Sequence, residues 1–283
     1  MSAIMTTETN TDLLEAPDST HTSVPAPATP SRALTKPSFF ANVVTIAGRE
    51  VRSYFDSLTA YVVIGITLLA VGGWMFAGDA SFWKTDRATM VRMFEMLPWM
   101  ITGIVAPGVT MRSIAEEKRS GTLELLITLP VRDSEVILGK YIGAMSLVLV
   151  LLVGSLLYPV AMFVWPWKLG VLDWGPVWSG YLGALLLSFA SVSVGLFFSS
   201  ITENQIVAFF ITSFSLVGLT ALGWAVESIP GWGGDVLAFV SFLTRFQPFA
   251  RGQIDIRAVV YFLSIAIIFL VASFRSLESR KWS

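Results

Sequence analysis

The sequence predicts an all-α membrane protein with six transmembrane helices. Two observations carry this. Of 283 residues, 54% are hydrophobic and only 14% charged, against about 25% charged in soluble domains. The apolar residues also come in long unbroken runs, which an oversized water-soluble core would not require. A span needs roughly 20 mostly apolar residues to cross ~30 Å of hydrocarbon at ~1.5 Å per residue. Six runs meet this, at about 60–78, 94–111, 140–164, 177–199, 205–226 and 258–274.

In chain order, residues 1–36 come first. They are rich in Thr, Ser, Pro and Ala and cannot bury enough surface to offset ordering entropy. A disordered tail is expected there, and no signal peptide, because no apolar segment follows the start. Residues 37–283 are expected to form the membrane domain. Pro98, Pro107 and Pro159 fall inside spans and predict kinks. Gly139-Lys-Tyr-Ile-Gly143 and the Ser191, Gly195 pair have the small-x-x-x-small spacing that lets helices approach closely. Between the fifth and sixth spans, Ile229-Pro-Gly-Trp-Gly-Gly234 precedes an apolar piece over 236–246, and Gln247-Pro248 follows it. That piece would be only ~16 Å long as a helix, too short to span. It reads as a short re-entrant or interfacial helix, with an amphipathic surface loop as the alternative.

The composition excludes several chemistries. The chain has no Cys, which removes disulfides and thiolate metal sites. His21 is the only histidine and lies in the polar tail, which removes most histidine catalysis and metal binding. No basic patch calls for nucleic acid. The span interiors carry no ionisable residue, whereas ion-coupled carriers keep such groups facing a cavity. Glu95, Arg112 and Lys140 sit at span ends, where side chains can reach the interface. An intramembrane protease would need an embedded nucleophile with a base, or paired aspartates, and neither is present. No catalytic, cofactor-binding or metal-binding residue is expected.

Lys and Arg set the orientation. Arg32, Lys36, Arg49, Arg52, Arg112, Lys118, Arg119, Arg132, Lys140, Arg275, Arg280 and Lys281 fall on the side of the termini. Lys84, Arg87, Arg92, Lys168, Arg245, Arg251 and Arg257 fall on the other. Twelve against seven predicts both termini in the cytoplasm. Trp74, Trp83, Trp99, Trp165, Trp167, Trp174 and Trp178 cluster toward the outer span ends, as an interfacial belt would.

One cytoplasmic loop is long, from Arg112 to Lys140. Ser113 with Glu116 has capping-box spacing, and Gly121 can end the first turn. Residues 122–129 then form a short helix with Leu123, Leu126 and Ile127 on one face, stopped by Pro130. Asp133 can cap the next helix, with Glu135 in its first turn. The exposed apolar stripe marks either a partner surface or a helix lying on lipid headgroups.

The run Glu116-Glu-Lys-Arg-Ser-Gly-Thr-Leu-Glu-Leu-Leu126, with Leu129-Pro-Val and Gly139-Lys-Tyr, resembles the type 2 ABC transporter permeases. Residues 242–252, Ile254-Asp-Ile-Arg257 and Arg275-Ser-Leu-Glu-Ser-Arg-Lys-Trp282 look like the gliding-motility-associated branch of that family. The resemblance runs from about Phe39 to the C-terminus. It implies a bacterial inner-membrane permease, exporter-type, with an interfacial elbow helix before the first span. Residues 39–56 fit that helix, with Val43, Val44, Ile46 and Ala47 among Arg49, Glu50 and Arg52. It also implies a coupling helix in the long loop that docks on an ABC ATPase, at Ser113, Glu116, Glu117, Lys118, Arg119, Gly121, Thr122, Leu123, Glu124, Leu126 and Ile127. Glu116, Glu117, Lys118 and Arg119 would supply rim charges, and Leu123, Leu126 and Ile127 an apolar anchor. Gly-x-x-x-x-Gly-Lys-Ser/Thr does not occur in the chain. ATP and Mg are therefore expected in the partner ATPase, present in two copies beside a second permease, identical or different. The alternative is a non-transporting membrane scaffold, or a mechanical-coupling subunit of a cell-surface machine.

Overall fold

The computed structural model describes residues 38–76, 90–121, 132–164, 168 and 170–279. The N-terminal tail and the segment 122–131, which carries Thr122, Leu123, Glu124, Leu126 and Ile127, lie outside the described residues. The chain is all-α, with no strand among the described residues and six helices long and apolar enough to cross a membrane.

Helix α1 (Phe39–Phe55) starts where the Ser38 hydroxyl accepts the Ala41 amide, an N-cap. Helix α2 (Leu58–Phe76) is the first span. The second span covers Val91–Arg119 and is broken. It comprises α3 (Val91–Met100), a π-helical turn at Ile101–Val105, α4 (Ala106–Thr110) and α5 (Ala115–Arg119). The third span holds α6 (Asp133–Ser155), the single turn α7 (Leu157–Pro159) and a second π-helical turn at Val160–Val164. Helices α8 (Trp174–Ile201) and α9 (Gln205–Ala225) are the fourth and fifth spans. Two short helices follow, α10 (Trp232–Val240) and α11 (Phe242–Ala250), before the last span α12 (Ile256–Ser279).

The prolines act through the hydrogen bonds they remove. Pro107 has no N–H to offer the Gly103 carbonyl four residues earlier. That carbonyl instead accepts the Ser213 hydroxyl of α9 at 2.9 Å. The break in the second span therefore becomes a cross-link to the fifth. The π-helical turn at Ile101–Val105 contains the Gly103 carbonyl that Pro107 leaves free, and the one at Val160–Val164 directly follows Pro159. Pro98, in contrast, sits inside α3.

Small residues decide which helix is central. Helix α8 is the most enclosed span, and α9 and α12 the least. On α8, a Cβ at Gly180 would lie 2.4 Å from the Phe94 ring, at Gly183 2.6 Å from Phe249 Cβ, and at Gly195 2.2 Å from Thr110 Oγ1. Glycine at these places lets α3, α4 and α11 press onto α8. Phe94 packs edge-on to Tyr181 with centroids 5.6 Å apart, and the Tyr181 and Ser155 hydroxyls pair at 2.9 Å.

The apolar piece expected as one helix over 236–246 is two. The chain breaks at Ser241, whose hydroxyl accepts the Thr244 amide and caps α11. Pro248 lies within α11 and does not end it. At ~13 Å each, neither helix can span. Helix α11 is anchored to α8 by the Ser179 hydroxyl, which donates to the Phe249 carbonyl at 2.7 Å.

Candidate functional site: a three-way clamp on Lys140

Helix α1 lies along α6, and the sequence dictates how closely. A Cβ at Gly139 would stand 2.6 Å from Ile46 Cγ2, and one at Gly143 2.6 Å from Glu50 Cβ. The spacing Gly139 to Gly143 on α6 matches Ile46 to Glu50 on α1, so one turn of each helix seats in the other. The Gly-x-x-x-Gly pair thus packs an intramolecular helix.

This contact brings Glu50 to Lys140. Lys140 does not reach toward an interface, as its place near a span end suggested; it is 1% exposed. Its ammonium has three donors and all three are used. They go to Glu50 Oε1 at 2.8 Å, Glu117 Oε1 at 2.7 Å and the Ser113 carbonyl at 2.7 Å. One buried cation thereby joins α1, α6 and the segment leaving the second span. Arg49, at the exposed rim, stands 3.7 Å from Glu50 and 3.8 Å from Glu117. Two carboxylates and two cations balance, which limits the cost of burying the set.

The same segment is tied to the central helix. The Ser199 hydroxyl accepts both the Ile114 and Ala115 amides at 3.1 Å. Lys118 donates to the Ser200 carbonyl. The expected Ser113–Glu116 capping box does not form. Ile114 occupies the N-cap position of α5, and Ser199 from α8 satisfies the orphan amides instead. Gly121, with φ of 70°, follows the C-cap Ser120 and ends α5 as its position suggests. At the start of α6, Arg132 rather than Asp133 is the N-cap residue, and Glu135 Oε2 accepts its amide at 3.1 Å. Glu135 also accepts the Asn42 amide group of α1 at 2.9 Å, a second pin between the elbow and the third span.

Tyr54, near the end of α1, donates to the Val109 carbonyl at 3.1 Å. Burial first, and then the Glu50 carboxylate, push its hydroxyl above the usual tyrosine range. It therefore stays protonated and keeps donating to α4. A cavity of about 700 Å³ opens beside the clamp, lined among others by Arg49, Glu50, Tyr54, Arg112, Glu117 and Lys140. The site is a set of charges and hydrogen bonds that ties α1 and α6 to the segment leaving the second span.

The expected coupling residues divide in two. Ser113, Glu117 and Lys118 turn inward and hold the segment to the bundle. Glu116, Arg119 and Gly121 are exposed. Asn42, Tyr54 and Ser199 were not singled out from sequence, and Glu50 was named only as a polar residue of the elbow. The only signal for Glu50 was its register on the elbow against the two glycines.

The model of the ABC-2 family transporter proteins matches residues 38–231, more than two thirds of the chain. The chain belongs to the ABC-2 family. It is a multi-pass membrane protein and an ABC permease subunit, the component that works with an ABC ATPase. The matched region runs from the elbow α1 through the fifth span and ends just before α10. It therefore contains the whole clamp. None of the curated proteins matches the chain.

Proposed function

We propose that this ABC-2 permease moves a substrate across the bacterial inner membrane as an exporter, driven by a separate ATPase docked on the loop after the second span. Two ATPase subunits would bind ATP and Mg, and a second permease, identical or different, would complete the assembly. Both termini face the cytoplasm in this reading. Glu116 and Arg119 provide rim charges to the ATPase, and Leu123, Leu126 and Ile127 the apolar anchor. ATP-driven closure of the ATPase pair pushes on this loop and shifts the balance between inward-facing and outward-facing bundles.

The observation that carries the reading is the Lys140 clamp. A push on the loop reaches Ser113 and Glu117, and from there Lys140, Glu50 and the third span, through short charge-assisted bonds. Ser199 and Ser200 carry the same push into the central span. A loop meant only to connect two spans has no need of so many ties.

The test is co-purification in detergent with the candidate ATPase, comparing wild type with Leu123→Asp plus Leu126→Asp. The reading expects a stable complex with wild type and loss of the ATPase from a variant that still inserts. Retention by the variant would place the contact elsewhere. Absence of any ATPase on the wild type would favour the scaffold role, in which the gliding-associated resemblance of the last forty residues would find its place.

A further inference from the structure

At the end of the bundle opposite the clamp, α10, α11 and the start of α12 enclose a groove of about 680 Å³. Arg245 and Arg257 line it, together with Val260, Ser264, Ile265 and Ile268 of α12. Arg245 is held in place. Its Nε donates to the Phe239 carbonyl at 3.3 Å, and its guanidinium lies 4.7 Å from the Phe239 ring centroid and 5.6 Å from that of Tyr261. Tyr261 is itself fixed by donating to the Val240 carbonyl. Neither Arg245 nor Arg257 forms a salt bridge among the described residues, and no acidic side chain lines the groove. The nearest carboxylate along the chain, Asp255, accepts the Arg257 backbone amide. Among the described residues, the terminal guanidinium nitrogens of these two groove-lining arginines have no hydrogen-bond acceptor.

Below the arginines the groove is apolar and open to the side. Ile256, Val260 and Ile268 are 75%, 57% and 61% exposed. With Ser264 they form an i, i+4 stripe along one face of α12. From Arg257 to Ile268 the helix rises ~17 Å, close to the ~15 Å depth of one leaflet of hydrocarbon. Paired cations above a leaflet-deep apolar slot fit one ligand class, an anionic phospholipid. A free phosphate would leave the slot without a function, and an acidic peptide would not use a lipid-facing stripe.

We propose that this groove binds an anionic phospholipid, its phosphodiester between Arg245 and Arg257 and an acyl chain along Val260, Ser264 and Ile268. Arginine suits the headgroup because its planar fork donates to two phosphate oxygens at once. The bound lipid would brace α10 and α11 against the last span. The inference stands apart from the transporter reading and survives its failure.

The experiment is thermal unfolding of the detergent-purified full chain with added phosphatidylglycerol, phosphatidylcholine of the same acyl chains, or inorganic phosphate. Wild type should be stabilised by several degrees more with phosphatidylglycerol than with phosphatidylcholine, and not by phosphate. Arg245→Gln plus Arg257→Gln should erase the difference between the two lipids. Ser264→Trp, which fills the slot and leaves both arginines, should weaken stabilisation by phosphatidylglycerol. It decides the matter if the double variant does not fold. Equal stabilisation by the two lipids, a preference that persists in both variants, or a phosphate effect matching that of phosphatidylglycerol would overturn the proposal.

Discussion

A Cβ placed on Gly143 would lie 2.6 Å from the Cβ of Glu50, so at this contact α6 has room only for a glycine hydrogen against the Glu50 side chain of α1. This contact sets the depth at which Glu50 meets Lys140. Gly143→Val should therefore push α1 off the third span. The expected cost is roughly 1–3 kcal/mol, the usual range for forced overpacking. Thermal unfolding in detergent, with limited proteolysis within α1, checks it; Gly65→Val, at a glycine with open space around it, should change little.

Lys140→Met leaves two carboxylates without their buried cation. Glu50 and Glu117 retain 12% and 20% side-chain exposure, so solvent relieves only part of the penalty. A loss of about 3 kcal/mol is expected, toward the low end for breaking a buried pair. The triple variant Lys140→Met, Glu50→Gln, Glu117→Gln removes the stranded charges and should recover most of the stability. Melting temperatures of the single and triple variants measure both.

Ser199→Ala removes the acceptor shared by the Ile114 and Ala115 amides. Replacing a capping hydroxyl costs about 1 kcal/mol. The change should be local, and hydrogen exchange should quicken at the amides of 114–119 while those in the middle of α8 stay protected.

Ser213→Ala should cost about 1 kcal/mol in the natural sequence, because it strands the Gly103 carbonyl. In a Pro107→Ala background that carbonyl regains an intrahelical partner, and the same change should cost little. A double-mutant cycle on unfolding reads the coupling directly.

The six spans were legible because hydrocarbon imposes length and apolarity on each. Their interruptions were less so. Pro107 signals a lost hydrogen bond, but not that Ser213, more than a hundred residues on, would take up the freed carbonyl. The split at Ser241 was hidden because a serine inside an apolar run is silent until its hydroxyl caps a helix. The clamp was the least legible part. Lys140 at a span end has two physical outcomes, reaching for water or meeting acids, and the choice depends on where α1 lies. Gly139 and Gly143 carried that information, but close approach is as consistent with a second chain as with the same one. Glu117 and Lys118 looked like rim charges for the same reason. Their partners, Lys140 and Ser200, come together only in the fold.

The most direct measurement is ATP turnover by the permease–ATPase complex in vesicles, wild type against the Lys140→Met, Glu50→Gln, Glu117→Gln variant. The variant keeps the proposed docking residues and should still bind the ATPase. If the clamp carries the ATPase stroke into the bundle, its permease-dependent turnover should fall by about tenfold or more, equivalent to at least ~1.4 kcal/mol. Turnover equal to wild type, in a variant that binds the ATPase normally, would contradict the account.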